Sequence, residues 1–153
     1  MLVTGMSGTG KSSVLVGLGR LGFSVIDTDD PGWSEWSEDE GGYVWREERI
    51  RELLDAESDR TLFVSGTVSN QGRFYSCFDE VVLLRAPAEV LLERIAARTT
   101  NPYGKTAEQR EAILRDLAEV EPLLRRTCSL EVDATRPLSQ IVGQLAELAR
   151  GGR

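Results

Sequence analysis

Gly5-Met6-Ser7-Gly8-Thr9-Gly10-Lys11-Ser12 lies between the apolar run Leu2-Val3-Thr4 and a segment of helical periodicity, and the spacing G-x-x-x-x-G-K-S occurs once in the 153 residues. Its glycines let the backbone wrap closely, so that successive N–H groups aim inward as an anion nest. A helix starting behind the loop adds the partial positive charge of its N-terminus. Gly5, Ser7, Gly8, Thr9, Gly10 and Ser13 are therefore candidates for cradling phosphates. Lys11 is placed to reach β- and γ-phosphates, and the Ser12 hydroxyl to bind Mg²⁺. The expected ligand is ATP with Mg²⁺.

Outward from the loop, Val14, Leu15, Leu18 and Leu21 recur at three- and four-residue steps until Gly22. Phe23-Ser24-Val25-Ile26 reads as a buried strand and closes a β-α-β unit. Thr61–Ser65 is a third strand, stopped by Gly66. The unbroken apolar run in Glu80–Leu84 suits a fourth strand covered on both faces, and Ser129–Asp133 is a weaker fifth. Helices are predicted from Tyr43 to about Glu57, from Pro87 to Arg98, from Thr106 to a kink or stop at Pro122, and from Pro137 to before Gly151-Gly152. Thr106 with Gln109 forms a capping box. Residues 30–42, acidic and glycine-bearing, read as a loop with one helical turn at most. Strands alternating with helices predict one three-layer α/β/α domain over 1–153, a five-stranded parallel sheet flanked by helices.

The net charge of -7 disfavours a nucleic-acid or acidic-membrane surface. No apolar stretch approaches the length of a membrane span, and a cytoplasmic monomer or homodimer is expected. The absence of histidine removes Ser-His and Cys-His nucleophile pairs and leaves metal binding to hard oxygen donors, which suit Mg²⁺. Cys77 and Cys128 lack metal-site or redox spacing and read as two buried, reduced thiols.

Ile26-Asp27-Thr28-Asp29-Asp30 stands at the carboxyl end of the second strand, where open α/β sheets bind ligands. One carboxylate there can help hold Mg²⁺ and another can accept a proton from a substrate hydroxyl. This loop, the Asp27-Thr28-Asp29 run, and Arg46 with Glu48 and Arg49 on the next helix resemble shikimate kinase and its relatives in the nucleoside-monophosphate-kinase-like group. The resemblance implies that Asp27 organises Mg²⁺, that Asp29 binds the acceptor hydroxyl and that Arg46 grips an acceptor carboxylate. Leu91-Leu92-Glu93-Arg94-Ile95-Ala96-Ala97-Arg98 is similar to the segment before the lid of adenylate kinases, implying that Arg94 and Arg98 touch adenine and phosphates. Asp133-Ala134-Thr135-Arg136-Pro137 resembles the adenine-contacting loop, which places Arg136 and Pro137 at the nucleotide. Shikimate kinases carry three glycines after strand three. Here the chain reads Gly66-Thr67-Val68-Ser69-Asn70-Gln71-Gly72, which argues for another hydroxylated or nucleotide-like acceptor.

Arg94, Arg98 and Lys105 bracket a polar segment, about 99–105, that suits a short cationic lid over developing negative charge. The acceptor region is expected at about 30–58. Gly66, Asn70 and Gln71 are candidates for acceptor hydrogen bonds. Trp33, Trp36, Tyr43 and Trp45 either stack on a ring-shaped acceptor or cap a small core. The leading expectation is transfer of the γ-phosphoryl of ATP to a small hydroxyl acceptor, with ADP released. The alternatives are a nucleoside monophosphate kinase and a regulatory ATP-binding or ATPase protein without kinase activity.

Overall fold

A computed structural model describes residues 1–99 and 101–151 of the chain. Thr100, within the expected lid, and Gly152 and Arg153, at the expected end, lie outside the described residues. The elements run β1 (Leu2–Thr4), α1 (Lys11–Arg20), β2 (Ser24–Asp27), β3 (Ser34–Ser37), β4 (Gly42–Trp45), α2 (Glu47–Asp55), β5 (Leu62–Ser65), a 3₁₀ segment (Gln71–Cys77), β6 (Val81–Arg85), α3 (Ala88–Ala97), α4 (Ala107–Glu119), α5 (Glu121–Thr127), β7 (Leu130–Asp133) and α6 (Leu138–Gly151). The main sheet has the order β2-β5-β1-β6-β7 and all its pairings are parallel. The predicted five-stranded parallel sheet flanked by helices is the observed fold.

Register explains how a three-residue β1 can be the central strand. Leu2 is level with Val64 and Val81, and Val3 with Val82. Because successive side chains point to opposite faces, Leu2, Val64 and Val81 enter one core with Trp45, Ile50, Phe74 and Phe78. Val3, Phe63 and Val82 enter the other with Val14, Leu15, Leu18, Ile141 and Leu145. All strand residues of β1 are buried. Every strand of the main sheet delivers its carboxyl end to the same edge, where the phosphate loop, the aspartates after β2 and the segment after β5 meet.

The structure departs from the sequence reading in several places. Residues 34–45 form an antiparallel hairpin in which Ser34 faces Trp45 and Trp36 faces Tyr43, not a loop running into a helix. The helix expected from Tyr43 begins at Glu47. Tertiary contacts decide this: the buried Asn70 side chain accepts from the Trp45 N–H at 2.8 Å and donates to the Trp45 carbonyl at 3.0 Å. Arg46 N–H bonds the Trp33 carbonyl at 2.8 Å, holding the end of β4 extended. Thr106 caps α4 by accepting from Gln109 N–H. The Gln109 side chain, however, accepts from Gly104 N–H at 2.8 Å, stapling the lid segment to α4. The helix breaks at Val120, with Pro122 in the first turn of α5. Cys77 is exposed and Cys128 half-buried; both thiols are free.

Candidate active site

The phosphate loop turns through three glycines of positive φ: Gly5, Gly8 and Gly10. Gly8 has φ +87° and lies against α3, so an added Cβ would stand 3.0 Å from the Leu91 carbonyl oxygen and 3.1 Å from Ile95 Cγ1. Only glycine combines that dihedral with that approach. Lys11 folds back over the loop and donates to the carbonyls of Gly5 (2.6 Å) and Met6 (3.2 Å). The loop is braced from β5's exit by Thr67, whose hydroxyl donates to the Gly5 carbonyl at 2.6 Å. Thr67 also lies 3.3 Å from Gly5 N and 3.1 Å from the Thr4 hydroxyl.

Ser12 and Asp27, the expected metal pair, are bonded to each other: the hydroxyl donates to Asp27 Oδ2 at 2.6 Å. Asp27 Oδ1 accepts from Asp29 N–H at 3.0 Å, which orders the turn after β2. One hydroxyl and one carboxylate fit Mg²⁺, a hard cation that fills the rest of its shell with water and phosphate oxygen. Among the described residues no cluster of three or more His, Cys, Asp or Glu side chains could hold a metal without such help.

Burial pushes the Asp29 carboxyl above its ordinary range; the Lys11 charge opposes this, while Asp27 and Asp30 reinforce it. Burial likewise holds Lys11 below its ordinary value, against the pull of Asp29 and Asp27. A carboxyl and an ammonium, both displaced by burial, thus lie at one site, and such perturbed groups cluster at functional sites.

Two clefts open on either side of this pair. One, of about 460 Å³, is lined by Ser7 to Val14, Arg94, Arg98, Asn101, Arg136 and an apolar wall of Ala134, Leu138 and Ile141, with Asp29 at its edge. The other, of about 740 Å³, is lined by Gly5 and Met6, by Tyr43 of the hairpin, by Thr67, Val68, Gln71 and Tyr75, by Tyr103 of the lid segment, and by Asp116, Leu123 and Leu124 of α4 and α5. Ser7, Lys11 and Asp29 border both.

The remaining expected residues fall as follows. Arg94 donates to the Ala134 carbonyl at 2.6 Å, joining α3 to the loop after β7. Arg98 donates to the Tyr103 carbonyl at 2.7 Å and the Asn101 carbonyl at 3.2 Å, so it carries the lid segment. Arg136 donates to Gln144 at 2.7 Å, whereas Pro137 does not line the smaller cleft and only starts α6. Lys105 caps the end of α3, bonding the Ala96 and Arg98 carbonyls. Arg46 lines neither cleft; its Nε lies 3.9 Å from Glu35 on the hairpin. Gly66 is a close-packing position, where a Cβ would overlap the Thr28 hydroxyl. Both polar atoms of the Asn70 amide bond Trp45, and its side chain also reaches Glu47. Gln71 is also engaged, accepting from Val68 N–H and donating to the Thr4 and Tyr75 hydroxyls. Trp45, 1% exposed, belongs to the small core and donates to Thr28. Trp33 packs against that core under the Arg49 guanidinium. Trp36 is exposed, and only Tyr43 of the four aromatics reaches the larger cleft.

Sequence reasoning assigned no role to Thr67, although its position two residues past a strand end signals a site. Asp116, Leu123 and Leu124 carried no such signal, because only the packing of α4 and α5 brings them to the cleft.

The sheet order, the glycine loop feeding α1 and the aspartates after β2 define a P-loop domain with the architecture of small kinases. The chain belongs to the AAA domain family, whose model matches residues 1–115. No curated protein matches it. Among solved structures it is similar to shikimate kinase from Acinetobacter baumannii in complex with shikimate, with a TM-score of 0.68, 18% identity, and coverage of 99% of this chain and 93% of that one. It is similar to a gluconokinase from Sinorhizobium meliloti 1021 (TM-score 0.58, 23% identity, 98% and 93% covered). It also resembles deoxyadenosine kinase from M. mycoides with bound dATP (TM-score 0.61, 15% identity, 95% and 96% covered). At these identities the likeness concerns the fold.

Proposed function

We propose that the protein transfers the γ-phosphoryl group of ATP to a hydroxyl of a small acceptor. The observation that carries this reading is the shared border of the two clefts: the phosphate-loop side and the acceptor side meet at Lys11 and Asp29. ATP occupies the smaller cleft, its phosphates on the loop N–H groups and its base against Ala134, Leu138 and Ile141, with Arg94 and Arg136 alongside. Ser12 and Asp27 hold Mg²⁺, which in such sites neutralises charge on the β- and γ-phosphates. The acceptor oxygen forms a bond to the γ-phosphorus as the bond from that phosphorus to the β,γ-bridging oxygen breaks. The hydroxyl proton passes to Asp29, and ADP leaves with the bridging oxygen. Lys11 and Arg98 stabilise the charge on the transferring group. The lid segment, tied to α4 through Gln109, restricts water at the reacting phosphate.

The test is acceptor-dependent ADP release across sugars, cyclitols, nucleosides and nucleoside monophosphates, with Lys11→Ala and Asp29→Asn alongside. A kinase shows acceptor-stimulated turnover that falls by about 10²-fold or more in either variant. Tight ATP binding with turnover that no acceptor stimulates and that Asp29→Asn leaves unchanged would mark a regulatory ATP-binding protein instead.

A further inference from the structure

Acceptors bearing a carboxylate or phosphate are recognised by arginine forks, because a planar guanidinium pairs two oxygens at once. No arginine lines the larger cleft among the described residues, and Lys11, its one cation, is already turned onto the loop carbonyls. The arginines nearest in sequence are committed elsewhere. Arg46 faces Glu35 at 3.9 Å, Arg73 and Arg51 pair with Glu47 at 2.7 and 3.6 Å, and Arg49, over the Trp33 ring, donates to the Gly32 carbonyl at 2.7 Å.

Negative groups take the place that these arginines leave. Asp116 on α4 lines the cleft, and its carboxylate has no ion pair or side-chain hydrogen bond among the described residues. Asp29 borders the same space. Beyond the lining, residues 30–58, of which only Gly42 and Tyr43 reach the cleft, carry ten carboxylates against three arginines, an excess equal to the whole chain's net charge of -7. Such a field draws cations toward the cleft and repels anions. The remaining wall is amphipathic: Met6, Tyr43, Tyr75, Tyr103 and Leu123 give faces for a flat apolar body, and the volume is that of a small-molecule site.

We propose that the acceptor is a hydroxylated amine with a ring-sized apolar body, its ammonium held by Asp116 and its hydroxyl presented to Asp29. This rests on the kinase reading above for the role of Asp29, but the charge selection is a binding property and is measured separately. An anionic acceptor, whether a carboxylate like shikimate or a nucleoside monophosphate, is selected against.

Three probes of one shape separate the charges: phenyl 2-amino-2-deoxy-β-D-glucoside, phenyl β-D-glucoside and phenyl β-D-glucuronide. Their binding to the full chain with ADP and Mg²⁺ is measured by calorimetry at low salt, for the native protein and for Asp116→Asn. The amine binds tightest, about tenfold tighter than the glucuronide, as expected for one charge-assisted contact. In Asp116→Asn the amine and the neutral glucoside become equal. Equal or tighter binding of the glucuronide, no binding of any probe at millimolar concentration, or an amine preference that survives Asp116→Asn overturns the proposal. The same probes in an ADP-release assay keep the two readings apart. Amine-selective binding, with ADP release stimulated neither by these probes nor by any acceptor of the wider panel, refutes the kinase reading and leaves the charge selection standing. Transfer to the glucuronide or to a nucleoside monophosphate in preference to the amine does the reverse.

Discussion

Replacing Asn70 by alanine should cost stability rather than chemistry. The Asn70 side chain is 6% exposed and makes two hydrogen bonds to the backbone of Trp45, itself 1% exposed. Truncation leaves a buried N–H and a buried carbonyl without partners, each costing about 1–3 kcal/mol. A water entering the vacated space recovers part of that, so a net loss of about 3 kcal/mol is expected. In a chain of this size that corresponds to a fall of about 6–12 °C in Tm. Urea unfolding followed by circular dichroism should show a lower midpoint with an unchanged slope, since the native surface is retained. Asn70→Asp should not rescue the loss: the carboxylate can still accept from Trp45 N–H, but it has no donor for the Trp45 carbonyl. A stability change below about 0.5 kcal/mol, the range of ordinary surface substitutions, together with a raised acceptor KM, would refute the reasoning. It would mean that the amide serves the acceptor and not the hairpin.

Gly8→Ala introduces a Cβ 3.0 Å from the Leu91 carbonyl at φ +87°, and should destabilise the fold by about 2 kcal/mol while weakening ATP binding. Calorimetric ATP binding equal to that of the native protein would show that the loop adapts. Asp29, raised above its ordinary value, must be ionised to accept a proton, so kcat/KM should climb as pH rises through its displaced value; Asp29→Asn should lose that acidic limb. Lys11, lowered from its ordinary value, should lose its charge as pH rises through its own displaced value, and ATP affinity in the free protein should decline on that alkaline side. Ser12→Ala removes the hydroxyl bonded to Asp27 and should raise the Mg²⁺ concentration for half-maximal turnover. An unchanged Mg²⁺ requirement would move the metal elsewhere.

The phosphate loop was legible because its function is local: the glycine dihedrals, the helix N-terminus and Lys11 are set by neighbours in the chain. The same holds for the parallel strands, whose apolar runs need only be buried on both faces. The hairpin at 34–45 was not legible. Ser34-Glu35-Trp36-Ser37 lacks the alternation of a half-buried strand, and its partner is held by Asn70 from a different part of the chain. Arg46 illustrates the same limit. The resemblance placed it at an acceptor carboxylate, whereas the hairpin brings Glu35 within 3.9 Å and occupies it.

The sequence by itself determined a strand, a glycine loop, a helix and an aspartate pair, and with them the phosphate-binding end of the site. Each depends on spacing and backbone preference within about thirty residues. Only the tertiary structure decided the larger cleft. Asp116, Leu123 and Leu124 reach that cleft through the packing of α4 and α5, and Arg46, Arg49 and Arg73 are held by contacts that no local pattern encodes. Charge selection at a cleft depends on which side chains are left unpaired after folding, and pairing is a property of the whole chain.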